Sequence, residues 1–147
     1  FFFFFKGYKK ALLDSGLTCY EDYVFQTKSN VDAGRQAVER LLGLNPPPDG
    51  IFSSSDFAAL GAIQELKERG VKIPEDFCVL GFGNEPFTRF MELSISSVDQ
   101  SPLEMGKMAA KVFLEQINNT DNIKIEKKVV LNPALHIRKS STRIIKP

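Results

Sequence analysis

The sequence predicts an α/β fold in which a mostly parallel sheet is flanked by helices. Short apolar runs alternate with segments of helical periodicity, which is the pattern of parallel strands joined by crossover helices. Residues 77–82 are almost continuously apolar, as expected of a central strand buried on both faces. Residues 48–86 combine these signals, because they read as strand, polar turn, helix, glycine stop, strand and second polar turn.

The composition is that of an ordinary globular domain, with 43% hydrophobic and 25% charged residues among 147. The formal net charge of +1 gives this segment no electrostatic footprint for nucleic acid. No apolar run reaches the roughly 18 residues of a membrane span, so we expect no membrane contact. Cys19 and Cys78 lie far apart and fit no metal-binding or redox spacing.

The first half of the chain is divided by clear start and stop signals. Five phenylalanines at residues 1–5 fit neither the helical nor the strand period, so we interpret them as a buried strand or an artefact of the sequence, and we favour the artefact. Asn30 is a typical N-cap residue, and Asn45 with the three prolines after it ends the helix that Asn30 begins. The predicted elements are a helix over 6–15 closed by Gly16, a strand over 22–27 and a helix from Asn30 to about residue 44.

The second half alternates strands with helices. Gly70 stops the helix that begins at Asp56. Ser101, Pro102 and Glu104 form the sequence of a capping box with proline at the first helical position. The predicted elements are strands over 50–53, 77–82, 95–98, 128–131 and 134–137 and helices over 56–69 and 102–118.

Short motifs in a fixed order cover nearly the whole chain from Lys6 onward. They are Gly7-Tyr8-Lys9-Lys10-Ala11-Leu12, Pro48-Asp49-Gly50-Ile51-Phe52, Ser55-Asp56, Ala59-Leu60-Gly61-Ala62, Gly70-Val71-Lys72-Ile73-Pro74-Glu75-Asp76, Gly81-Phe82, Ser96-Ser97-Val98-Asp99-Gln100 and Arg138-Lys139-Ser140-Ser141. In this combination the chain resembles the effector-binding domain of the lactose repressor–galactose repressor (LacI–GalR) family of bacterial transcription regulators. The resemblance implies a fold like that of the type I periplasmic binding proteins.

The resemblance also implies how the chain is organised. Residues 6–99 and 126–147 would form the C-terminal subdomain, and residues 100–122 would be a crossover segment whose helix belongs to an N-terminal subdomain. We expect the chain to begin within a longer protein, whose DNA-binding helix-turn-helix is absent from this chain. The family pattern further implies a homodimer that contacts DNA only through that absent domain.

Polar residues follow two of the predicted strands. Ser55 and Asp56 come after the strand at 50–53, where a hydroxyl and a carboxylate can bind sugar hydroxyls. Helix starts prefer the same residue types, so capping and ligand contact both remain open. Asn84 and Glu85 follow the next strand and form either a ligand contact or an ordinary turn.

The family pattern implies one further effector contact in this chain, and this chain lacks two effector contacts that relatives have. Many relatives place an effector-binding aspartate where this chain has Gly83, so Asn84 or Glu85 would have to supply the replacement. An effector-binding arginine of the family would fall at Phe4 and is not carried over. Gln100 falls near the hinge between the subdomains, close to the pocket, or is an ordinary side chain at a strand end.

We find no signal of catalysis in the sequence. His136 is the only histidine and has no nucleophile motif as partner, so we expect it, like Arg138, to be structural. We therefore predict no enzyme, no catalytic residue, no metal and no cofactor. The function that the resemblance implies is the sensing of a small effector, a sugar, between two subdomains of a cytoplasmic regulator, with allosteric control of DNA binding. The alternative is a periplasmic sugar-binding protein that serves a transporter or chemoreceptor.

Overall fold

The computed structural model describes residues 2–118 and 127–143. A 3-10 turn at Glu21–Tyr23 precedes the second helix. The helices are α1 (Phe2–Asp14), α2 (Val31–Leu42), α3 (Asp56–Glu68), α4 (Phe87–Phe90) and α5 (Pro102–Ile117), and the strands are β1 (Gly50–Phe52), β2 (Cys78–Phe82), β3 (Ser96–Asp99) and β4 (Ala134–His136).

The four strands form one sheet in the order β1-β2-β3-β4. The first three run parallel, with Phe52 opposite Leu80 and Phe82 opposite Val98. The last strand is antiparallel to β3. The mostly parallel α/β prediction is therefore confirmed, and the carboxyl ends of β1, β2 and β3 meet at one edge of the sheet.

Helices α2 and α3 pack closely because each presents a glycine to the other. A methyl group on Gly34 would lie 2.0 Å from the carbonyl oxygen of Ala58, and one on Gly61 would lie 1.9 Å from that of Val31. The predicted cap of α2 is confirmed, since Asn30 Oδ1 accepts the Ala33 N–H at 2.9 Å. The core beneath these helices contains Val38, Ala59, Ala62, Ile63, Leu66, Phe77, Val79 and Ile95.

Two predicted strands are wrong. Residues 22–27 pair with no strand in the described part of the chain; side chains hold the segment instead. Tyr23 donates its hydroxyl to the Pro46 carbonyl, and the Arg40 guanidinium lies over the Phe25 ring. Residues 128–131 also form no ladder with the described residues, and 128–130 are exposed. A strand needs a partner, which an apolar run alone does not specify.

The amino-terminal phenylalanines do not form a buried strand, because α1 begins at Phe2. Their poor helical periodicity is overridden by tertiary contact, since the Phe4 ring lies 4.8 Å from the Phe82 ring and 6.2 Å from the Phe52 ring. The sequence also did not predict the short helix α4.

The helix α5 begins at Pro102 as predicted, but the capping box before it is wrong. Ser101 has φ 54° and ψ 58°, which is left-handed, and its hydroxyl makes no capping bond with the described residues. None of the described residues of α5 is buried. Its apolar side chains, including Met105 and Phe113, line an open groove of about 730 Å³ with Leu131.

Candidate functional site

The candidate site is built on the carboxyl edge of the sheet. The ladder continues one residue past each of two strands, since Ser53 N–H donates to the Leu80 carbonyl and Gly83 N–H to the Val98 carbonyl. The turns that follow β1 and β2 are therefore rigidly placed beside the end of β3. This is the edge at which open α/β sheets bind ligands.

Asp56 connects these turns through hydrogen bonds from beneath the site. It is the first residue of α3 and is only 1% exposed. Its Oδ1 accepts the Ser97 hydroxyl at 2.7 Å, and its Oδ2 accepts the backbone N–H of Glu85 at 2.8 Å. A side chain at position 81 would displace this carboxylate, because a methyl group on Gly81 would lie 2.1 Å from Oδ1. The glycine in Gly81-Phe82 thus makes room for Asp56.

Asn84 is the second buried residue of the site, with 8% exposure and φ 54°. Its backbone N–H donates to the Ser97 hydroxyl at 2.9 Å. Its side-chain Nδ2 donates to Asp99 Oδ2 at 2.9 Å, and its Oδ1 accepts from the Arg138 guanidinium at 2.6 Å. A left-handed conformation is tolerated by asparagine better than by most residues, which fits its place in this turn.

Asp99 ends β3 and bonds the backbone that leads into α5. Its Oδ1 accepts the backbone N–H of Ser101 at 2.7 Å. This bond, with the Asn84 amide as the second cause, holds the pKa of the Asp99 carboxyl below its usual range. His136 Nε2 lies 3.7 Å from Asp99 Oδ2.

Arg138 reaches the site from beyond β4. Its guanidinium donates to the Ile95 carbonyl at 2.6 Å and to the Thr88 hydroxyl at 3.1 Å, besides Asn84. Burial lowers the pKa of this guanidinium from its ordinary value, yet arginine stays charged in proteins. Its three hydrogen-bond acceptors offset the cost of burying this charge, and so does the carboxylate of Asp99, which lies on the far side of Asn84.

The five predicted site residues fall into two groups. Asp56 and Asn84 are buried, and each of their side-chain polar atoms has a hydrogen-bond partner, as described above. The side chains of Ser55, Glu85 and Gln100 have no hydrogen-bond or ion-pair partner among the described residues. Ser55 and Glu85 are half-buried beside the two turns, whereas Gln100 is exposed and lines the groove under α5. The fold thus brings Ser55, Asp56, Asn84 and Glu85 to two adjacent turns and places Gln100 at the next strand end.

A separate cavity of about 710 Å³ lies beside the end of β1. Phe4, Phe52, Ser29 and Ser53 are among its lining residues, and none of the five predicted site residues lines it within the described chain.

The sequence did not predict that Ser97, Asp99 and Arg138 belong to the site. A usable signal was the polar sequence of β3, because serines in a buried strand need hydrogen-bond partners.

No group of three potential metal ligands occurs among the described residues. No helix in the same residues is long and apolar enough to cross a membrane.

Comparison with known proteins places the chain in a family. The family described as periplasmic binding protein-like domain matches residues 4–141. The transcriptional repressor PurR of Mannheimia succiniciproducens is 30% identical over 140 residues, which are 95% of this chain and 41% of that protein. The repressor CytR of Escherichia coli is 34% identical over 112 residues, which are 76% of this chain and 33% of CytR. The chain therefore spans about two fifths or less of the curated relatives it matches.

Solved structures agree with the sequence matches. The regulator CelR in complex with cellobiose superposes with a TM-score of 0.83 at 29% identity, over 93% of this chain and 41% of CelR. A LacI family regulator from Lactobacillus casei with bound sucrose gives 0.77 at 25% identity, over 92% of this chain and 50% of that one. With the parallel sheet and its strand-end turns, these matches lead to one conclusion: the chain belongs to the periplasmic binding protein-like domain family, as an effector-binding segment of the LacI type.

Proposed function

We propose that this chain is the effector-sensing part of a LacI-type transcription regulator and that its effector is a sugar. One observation carries the proposal. Ser55, Glu85 and Gln100 place polar side chains along one sheet edge, without a partner in the described part of the chain, while Asp56 and Asn84 hold that edge from beneath. A hydroxyl, a carboxylate and an amide can bind several sugar hydroxyls at once, and their rigid support lowers the entropic cost of binding.

The roles of the five residues differ in this proposal. Ser55, Glu85 and Gln100 contact the effector. Asp56 and Asn84 position the two turns, because their polar atoms are already bonded within the protein. The bound cellobiose and sucrose in the two structural relatives support a sugar as the ligand class. No covalent chemistry is required of any of these residues, so we propose a binding protein and no enzyme.

The exposed apolar faces fit a larger assembly. We propose that the apolar side of α5 packs on an N-terminal subdomain that forms the other wall of the effector cleft. Closure of the cleft on the sugar would then favour one subdomain orientation. DNA affinity would change through a domain outside this chain, by a coupling free energy typically of about 1–3 kcal/mol.

A second exposed face suits a homodimer. Phe57 on α3 and Phe87 on α4 contact each other with ring centroids 5.2 Å apart. Phe57 is 46% exposed, and Phe90 beside them is 84% exposed. Exposed aromatic side chains are enriched at protein interfaces, so we propose this aromatic patch of Phe57, Phe87 and Phe90 as part of the contact between two copies.

The experiment is calorimetric titration of the full-length gene product with cellobiose, sucrose and a panel of other sugars. We expect one of them to bind and Glu85→Gln to weaken that binding by about tenfold, the loss expected for one charged hydrogen bond. Glu92→Gln, which changes an exposed carboxylate past α4, is the matched control and should bind like the wild type. Equal binding by the two variants would remove Glu85 from the site, and no binding of any sugar would exclude the sugar class.

A further inference from the structure

The Arg138 guanidinium bonds three groups that lie 43 to 54 residues before it in the sequence. It bonds Thr88 in α4, the Ile95 carbonyl before β3 and Asn84 after β2. Arginine only donates hydrogen bonds, so the Asn84 side chain must turn its oxygen toward Arg138. The partner at the other side of Asn84 is Asp99, whose carboxylate only accepts. The amide of Asn84 therefore has one possible orientation.

The chain of contacts continues into the crossover. The Asp99 oxygen not bonded to Asn84 accepts the backbone N–H of Ser101. Ser101 is left-handed, a conformation that is costly for a residue other than glycine and persists only when its surroundings enforce it. Pro102 follows and opens α5. One unbroken set of hydrogen bonds thus runs from Arg138 through Asn84 and Asp99 to the residue where the chain leaves the sheet.

We propose that Arg138 is a positioning residue for effector binding. Through Asn84 and Asp99 it keeps Ser101 left-handed, and it thereby fixes Gln100 and the direction in which α5 leaves the sheet. Arg138 does not contact the effector in this scheme. The inference rests on the proposed function for its effect on affinity, but its structural part can be measured without any ligand.

An exchange of side chains separates positioning from general stability. Asn84→Asp alone sets two carboxylates against each other and should loosen the crossover. The double variant Asn84→Asp/Asp99→Asn restores the pattern, because the carboxylate at position 84 accepts from Arg138 and from the amide at position 99, whose oxygen still accepts from Ser101. Arg138→Gln removes the charge that orients Asn84, and Arg143→Gln is its matched control at the exposed pair with Asp49.

The measurement is amide hydrogen exchange of the full-length gene product by NMR. We expect protection of the Ser101 N–H to fall about tenfold in Asn84→Asp and Arg138→Gln, and to return in the double variant. The Val79 N–H of β2, bonded to the Ser140 carbonyl in the turn after β4, should stay protected in all variants. Unchanged Ser101 protection in Arg138→Gln, or failure of the double variant to restore it, would overturn the positioning role.

Titration with cellobiose and sucrose then tests the effect on affinity. Asn84→Asp and Arg138→Gln should bind the sugar that the wild type binds about tenfold more weakly. The double variant and Arg143→Gln should bind it like the wild type. Equal affinity in all variants would limit Arg138 to a structural part and overturn the inference. If the wild type binds neither sugar, the proposed effector class fails, while the exchange data still decide whether Arg138 holds the crossover.

Discussion

The carboxylate of Asp56 accepts the backbone N–H of Glu85 at 2.8 Å, which bonds the first residue of α3 to the turn after β2. Its second oxygen accepts the Ser97 hydroxyl of β3. One buried carboxylate therefore holds three strand ends in register, and its hydrogen bonds offset the cost of its burial. The candidate site is assembled on this support.

The first prediction concerns this carboxylate. Asp56→Asn places an amide donor against groups that already donate, so one buried hydrogen bond is lost. We expect the free energy of unfolding of the full-length gene product to fall by about 1–3 kcal/mol, measured by urea denaturation. Asp32→Asn, an exposed acid in the first turn of α2, is the control and should change it by less than about 0.5 kcal/mol. Equal effects of the two substitutions would show that Asp56 does not hold the turns.

The second prediction concerns the contact between α2 and α3. Replacing a helical glycine by alanine ordinarily stabilises a helix by about 1 kcal/mol. Gly61→Ala should instead destabilise by about 1–3 kcal/mol, because the added methyl group meets the Val31 carbonyl. Gly106→Ala in α5 meets nothing within 4 Å and should be neutral or stabilising. Thermal unfolding of both variants checks this, and a Gly61→Ala variant as stable as the wild type would contradict the close packing.

The third prediction follows from the lowered pKa of Asp99. The unfolded carboxyl titrates near about 3.9, and the folded one below that. Its stabilising contribution is therefore fully present above about pH 4 and is lost as the pH falls through the folded pKa. The stability difference between the wild type and Asp99→Asn, measured by denaturation at a series of pH values, should be constant above about pH 5 and shrink below about pH 4. A difference that does not depend on pH would contradict the bonds from Ser101 and Asn84.

The fourth prediction concerns the aromatic patch of Phe57, Phe87 and Phe90. Phe90→Asp should shift the full-length gene product from dimer to monomer, because a charge cannot be buried in an apolar contact without a partner. Leu17→Asp is the control at an exposed apolar residue outside the patch. Sedimentation velocity distinguishes the two states. A Phe90→Asp variant that remains dimeric would place the interface elsewhere.

The elements that the sequence predicted well carry their signals locally. Asn30 caps its helix through a residue three positions away, and β2 is apolar enough to be recognised alone. The strands predicted at 22–27 and 128–131 failed because pairing depends on a partner elsewhere in the chain. Ser101 matched a capping box in sequence, but its backbone is left-handed and its N–H donates to the Asp99 carboxylate.

In the candidate site, too, local sequence signals were predictive and contacts between distant residues were not. Asp56, Asn84 and Glu85 follow two predicted strands, and the fold brings them together at the carboxyl edge of the sheet. The hydrogen bonds that hold Asp56 and Asn84 in place could not be predicted, because Ser97 is 41 residues from Asp56 and Arg138 is 54 residues from Asn84. A motif shows which residue types are present, whereas the fold decides which of them remain free for a ligand.

The most direct test of the account is DNA binding by the full-length gene product. Its DNA target would be selected from a random double-stranded library, and affinity would be measured by fluorescence anisotropy with and without the sugar that binds in calorimetry. The account predicts a selected sequence whose affinity changes about 5- to 150-fold on sugar addition. Binding of the sugar by a protein that selects no DNA sequence, or whose DNA affinity the sugar leaves unchanged, would contradict it and favour a transport-type binding protein.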